Sequence, residues 1–122
     1  MSTCLHPVPL TQVTLSDTFW APRQEATRSV TLPIEIKHLR DTGRIDAFRL
    51  DWRPGMPDPP HVFWDSDVAK WVEAAAYSLA THPDPALAAD LAEVIALIAG
   101  AQQPDGYLNV HFTVVEPEKR WT

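Results

Sequence analysis

The sequence predicts a mainly α fold with short extended segments, and three observations predict it. Val68, Trp71, Val72, Ala75 and Leu79 recur at three- and four-residue spacing, which places them on one face of a helix. Residues 86 to 101 are almost entirely apolar, with only Asp90 and Glu93 charged, so a helix there wants burial on more than one side. Of 12 prolines, Pro22, Pro33, Pro85 and Pro104 fall at element boundaries, where proline punctuates helices.

Taken in order, residues 1–12 read as a flexible N-terminal arm. Residues 13–20 carry β-branched and aromatic side chains and are expected to be extended. Ala21-Pro22 opens a helix, because proline suits its first position. Pro33 lacks an N–H and must kink or restart that helix. The continuation over residues 34–41 has Gly43 as its stop. Residues 44–64 are expected to be irregular, with four prolines between Asp51 and Trp64. The next helix covers residues 67–80, with Asp65, Ser66 or Asp67 as its cap. Lys70 and Glu73 are expected to pair on its outer face. Thr81-His82-Pro83 ends it, and Asp84-Pro85 starts its antiparallel neighbour. Gln103 to Gly106 is a turn, with proline at its second position and glycine at its fourth. Tyr107 to Val115 alternates and is expected to be extended, which would turn Tyr107, Asn109 and His111 to one side. A polar tail follows.

A length of 122 residues suits one domain, and 45% apolar content is enough for a core. The net charge of -6, without a basic block, argues against a nucleic-acid partner. No apolar run is long enough to span a membrane. The first ten residues lack a basic, apolar signal pattern, and one cysteine, Cys4, forms no internal disulfide; both predict a cytoplasmic location. The five histidines have no ligand spacing, and Cys4 with His6 gives two ligands where zinc needs three or four. No metal or cofactor site is therefore expected in this chain. No catalytic residue is assigned, because no nucleophile signature is present.

Two blocks concentrate polar groups at helix ends. Asp65-Ser66-Asp67 reads either as a cap at the positive end of a helix or as acceptors for the hydroxyls of a ligand. Gln102-Gln103-Pro104-Asp105-Gly106-Tyr107 reads either as a self-braced turn or as a wall of a binding cleft. Trp52, Phe63 and Trp64 either cover helix ends or offer faces for a ligand ring to stack on.

These blocks, with Asp17-x-Phe19-Trp20, Thr42-Gly43-Arg44-Ile45 and Lys70-Trp71-x-Glu73-Ala74, resemble the β-L-arabinofuranosidase glycoside hydrolases of family 127. The resemblance runs from about Val13 to Trp121. It implies that residues 13–122 are the N-terminal portion of an (α/α)6 barrel, an incomplete toroid that needs the remainder of the catalytic domain as partner. It implies retaining hydrolysis of non-reducing terminal β-L-arabinofuranosides in an arabinose-containing oligosaccharide. It also implies zinc in the full-length enzyme, holding a cysteine nucleophile beside a glutamate acid/base. None of those residues has a match here, and Cys4 lies outside the resemblance, so the chain alone is expected to be inactive. Asp67, Gln103 and Asn109 are the first candidates for hydroxyl partners, then Asp65, Tyr107 and Trp64. A homodimer of the full-length enzyme is left open. So are a non-catalytic carbohydrate-binding module and a fragment of another α/α-toroid enzyme.

Overall fold

Among the described residues five α-helices follow in chain order: α1 (Trp20–Ala26), α2 (Leu32–Asp41), α3 (Trp64–Thr81), α4 (Pro85–Ala101) and the single turn α5 (His111–Val114). The computed structural model describes residues 6–121, so residues 1–5 of the expected arm, Cys4 among them, lie outside the described residues. No strand occurs among the described residues. The segments expected to be extended at residues 13–20 and 107–115 form no strand and are corrected where they turn helical, from Asp17 in the first and from His111 in the second. The first is irregular and then turns, because Asp17 Oδ1 accepts the N–H groups of Phe19 at 2.8 Å and Trp20 at 2.6 Å and starts α1. The second folds into α5, because Asn109 Oδ1 accepts the Phe112 N–H at 2.9 Å and the Thr113 hydroxyl donates to the Asn109 carbonyl at 2.6 Å. Local side-chain hydrogen bonds there overcome β-branched propensity.

Pro33 does interrupt the ladder, but the chain stays helical from α1 into α2. Thr27–Thr31 forms a π turn, in which the Leu32 N–H reaches the Thr27 carbonyl five residues back. The wider turn relieves the clash of a proline ring with the carbonyl four residues before it. α2 ends at Thr42, followed by Gly43 at φ 74°. The N–H of Gly43 bonds the Arg40 carbonyl and that of Arg44 bonds the Leu39 carbonyl, both at 3.0 Å. Only glycine adopts that left-handed position without strain. The stretch expected to be irregular at 44–64 contains a 3-10 turn at Asp46–Arg49 and yields Trp64 to α3.

The core joins faces set by helical spacing. Leu32, Ile36 and Leu39 of α2 meet Val68, Trp71 and Ala75 of α3, and Leu87, Val94 and Ala101 of α4. Ile45, Phe48 and Val110 close it. Each large aliphatic residue so buried stabilises by about 1.5–3 kcal/mol before entropy is counted. Trp71 keeps its polar edge satisfied by donating its indole N–H to the Leu32 carbonyl at 3.1 Å. Arg40 joins α2 to α4 through Asp90 and Glu93, both at 2.8 Å. The outer stripe of α4, Ala88, Ala92, Ile95 and Ala99, stays exposed. No helix among the described residues is long and apolar enough to cross a membrane.

Candidate functional site

α3 begins at Trp64, three residues before the expected start, with Phe63 in the cap position and no side-chain cap. The Trp64 N–H bonds the His61 carbonyl at 3.0 Å, and the Asp67 N–H bonds the Phe63 carbonyl at 3.2 Å. Asp65, Ser66 and Asp67 thus fall inside the first turn. The capping role expected for them is corrected, and their side chains act elsewhere. Ser66 donates to the Phe63 carbonyl at 2.8 Å. Asp65 and Asp67 turn to different neighbours.

Asp67 Oδ2 accepts from Arg44 Nε at 3.2 Å, and its other oxygen lies 3.4 Å from Lys70 Nζ. Lys70 therefore pairs with Asp67 rather than with Glu73, one turn back toward the acidic helix start. The Arg44 guanidinium also lies 5.4 Å from the centre of the Trp64 ring. Asp67, Arg44 and Trp64 form one continuous strip between two grooves. One groove, about 360 Å³, lies between α2 and α3 and is lined by Glu35, His38, Thr42, Arg44, Asp67 and Lys70 among others. The second, about 530 Å³, lies between the Gly43 turn and the proline-rich loop and exposes Trp52, Trp64, Asp46, Asp51 and Asp58. Carboxylates, a guanidinium and indole faces together offer acceptors, donors and a stacking surface, which is chemistry suited to a polyhydroxylated ligand.

Asp65 serves the other block. Its Oδ2 accepts the Val110 N–H at 2.9 Å, across 45 residues of sequence. Its Oδ1 is buried without a hydrogen-bond partner. Burial pushes its carboxyl above the usual range, against the opposing pull of the Val110 N–H and His111. His111 Nδ1 lies 2.7 Å from the Pro60 carbonyl, and Nε2 lies 3.3 Å from Glu116. Lys119 first, and then His111, hold the Glu116 carboxyl below its usual range.

The remaining sequence candidates are engaged close to home. Gln103 donates its amide to the Ala101 carbonyl at 2.8 Å, and the Gly106 N–H closes the expected turn onto the Gln103 carbonyl at 2.8 Å. Tyr107 packs its ring edge-on to Trp121, with centres 4.9 Å apart, under the Arg120 guanidinium at 4.9 Å. Asn109 is committed to the start of α5. Tyr107 and His111 do not share a face, because the backbone turns into α5 between them.

The structure therefore brings Asp67 together with Trp64, and Asp65 together with the segment that follows Asn109. It does not gather all six candidates in one cavity. Arg44, His38 and Glu35 were not singled out by sequence reasoning. The usable signal for Arg44 was its place after a helix-stopping glycine, which fixes its direction. His38 and Glu35 lie three apart on α2 and would have been found as one helix face.

Comparison with known proteins places this geometry in context. Residues 12–122 match the family model described as the β-L-arabinofuranosidase GH127 catalytic domain. A non-reducing end β-L-arabinofuranosidase of Bifidobacterium longum subsp. longum is 57% identical over 53 residues, 43% of this chain and 8% of that protein. A solved GH127 β-L-arabinofuranosidase from Geobacillus stearothermophilus T6 superposes with a TM-score of 0.80 at 42% identity, over 91% of this chain and 19% of its own. A solved GH127 β-arabinofuranosidase gives a TM-score of 0.79 at 39% identity, over 88% of this chain and 17% of its own. The chain thus spans less than a fifth of each of these relatives.

Proposed function

The chain belongs to the β-L-arabinofuranosidase GH127 catalytic-domain family, and we propose that it supplies the first helices of an (α/α)6-barrel glycoside hydrolase. The whole enzyme would release non-reducing terminal β-L-arabinofuranose from an oligosaccharide with retention. The observation that carries this reading is the family match over residues 12–122. The Asp67–Arg44–Trp64 strip gives it a physical basis. Trp64 offers a face for the sugar ring, Arg44 donates to hydroxyls, and Asp67 accepts from them. Gln103, Tyr107 and Asn109 border the cleft from the second block, and Asp65 from the first turn of α3.

Among the described residues, no group of three His, Cys, Asp or Glu side chains could hold a metal ion. The metal, the nucleophile and the acid/base are assigned to the remainder of the catalytic domain, and no step of the reaction is derived from this chain.

The test is kinetic. In a gene product carrying this chain together with the rest of the domain, Asp67→Ala and Arg44→Ala should each lower kcat/KM on an aryl β-L-arabinofuranoside by about threefold to tenfold, the scale of one hydrogen bond. The 122-residue chain alone should release no arabinose. Unchanged kinetics in both variants would reduce the strip to a structural ion pair.

A further inference from the structure

We propose that His111 is a positioning residue that clasps the proline-rich loop, residues 51–60, and so sets one wall of the groove lined by Trp52 and Trp64. The functional meaning of that wall rests on the glycoside hydrolase reading; the clasp itself does not. The loop carries Asp51, Trp52, Met56, Asp58 and Pro60 to the groove. Its side-chain hydrogen bonds among the described residues are otherwise short-range. The Trp52 indole donates to the Pro57 carbonyl at 3.2 Å, and Arg53 donates to the carbonyls of Leu50 and Trp52 at 2.8 and 2.7 Å. Such bonds shape the loop but do not attach it to the helices.

His111 supplies the attachment, 51 residues away in sequence. A carbonyl only accepts, so Nδ1 carries the hydrogen and donates it to Pro60 at 2.7 Å. Pro60 is buried at this point, while residues 53–59 are exposed. The ring is in turn anchored by its own backbone. Val110 is fully buried, and its N–H is held by Asp65 Oδ2. Glu116 faces the far ring nitrogen at 3.3 Å. The first turn of α3, the segment at 109–116 and the end of the loop thus meet at one imidazole.

The geometry separates two conservative replacements. Asparagine presents its amide where Nδ1 stood, whereas glutamine reaches the place of Nε2. Indole N–H exchange followed by NMR in the protein that carries this chain together with the rest of its domain reads both the loop and the core. Trp52 bonds within the loop, and Trp71 bonds the Leu32 carbonyl in the core. In His111→Ala and His111→Gln, exchange at Trp52 should rise about threefold to tenfold, the worth of one hydrogen bond, with Trp71 unchanged. His111→Asn should return Trp52 to wild-type protection. Equal protection of Trp52 in all four proteins would overturn the clasp. So would parallel loss at Trp71, or rescue by glutamine instead of asparagine. No sugar enters the measurement, so its failure leaves the glycosidase reading intact, and the reverse also holds.

Discussion

The starts of α3 and α4 make a controlled comparison. Both begin with acids beside a proline-rich stretch, and the sequence offers Asp65 to Asp67 and Asp84 as equivalent caps. Asp84 does cap: its Oδ1 accepts the N–H groups of Ala86 at 2.9 Å and Leu87 at 3.1 Å. Pro85 behind it needs no partner for a missing N–H. At α3 the helix runs on past its acids, and Phe63 holds the cap position. Acids relieved of local duty there reach outward, Asp65 to Val110 and Asp67 to Arg44. A capping motif predicts where a helix can start; a longer helix turns the same residues into tertiary contacts.

Substitutions can break that contrast. The largest effect is expected from Asp65→Ala, which leaves a buried N–H at Val110 unpaired and should cost about 1–3 kcal/mol in denaturant unfolding. Asp84→Ala should cost about 0.5–2 kcal/mol, with exchange increasing only in the first turn of α4. Asp67→Ala, a part-exposed and solvent-screened ion pair, should cost less than about 1 kcal/mol. If Asp67→Ala destabilised more than Asp65→Ala, the assignment of tertiary roles at α3 would be reversed.

Acidity sharpens the same contrast. Burial raises the Asp65 carboxyl in the folded state, so its contribution is fully present below the usual carboxyl range and lost as pH rises through the raised value. Asp65→Asn cannot titrate. Thermal melts from about pH 7 to about pH 3 should therefore show wild type gaining on Asp65→Asn as acid is added. Asp17 behaves oppositely. The Trp20 N–H, and then that of Phe19, hold it below its usual range, so its support of α1 is present above that range and lost on acidification. The expected signal is the smallest of the set: amides at the start of α1 exchange faster in acid while those of α4 do not.

What was legible in the sequence was local. Asp84-Pro85, the Gly43 stop and the Gln103–Gly106 turn each follow from chemistry within four residues. The helical spacing of Val68, Trp71 and Ala75 gave the core face. Asp65 was misread because its acceptor role depends on Val110, far along the chain. Tyr107–Val115 was misread because β-branched content outweighed a short-range bond from Asn109. Asp67 and Trp64 could be named as candidates, but their connection through Arg44 depends on how α2 stops against α3.

The π turn at Thr27–Thr31 acts as a phase element between α1 and α2. It holds one residue more than an α turn needs. Removing a single residue there would turn α1 by about 100° around its axis and draw it in by about 1.5 Å. Phe19 and Trp20, both exposed at the start of α1, would then point in a new direction, although α2 and the core beneath it had not changed. The angular setting of the whole N-terminal segment is thus encoded in the count of residues ahead of Pro33 as well as in their kind.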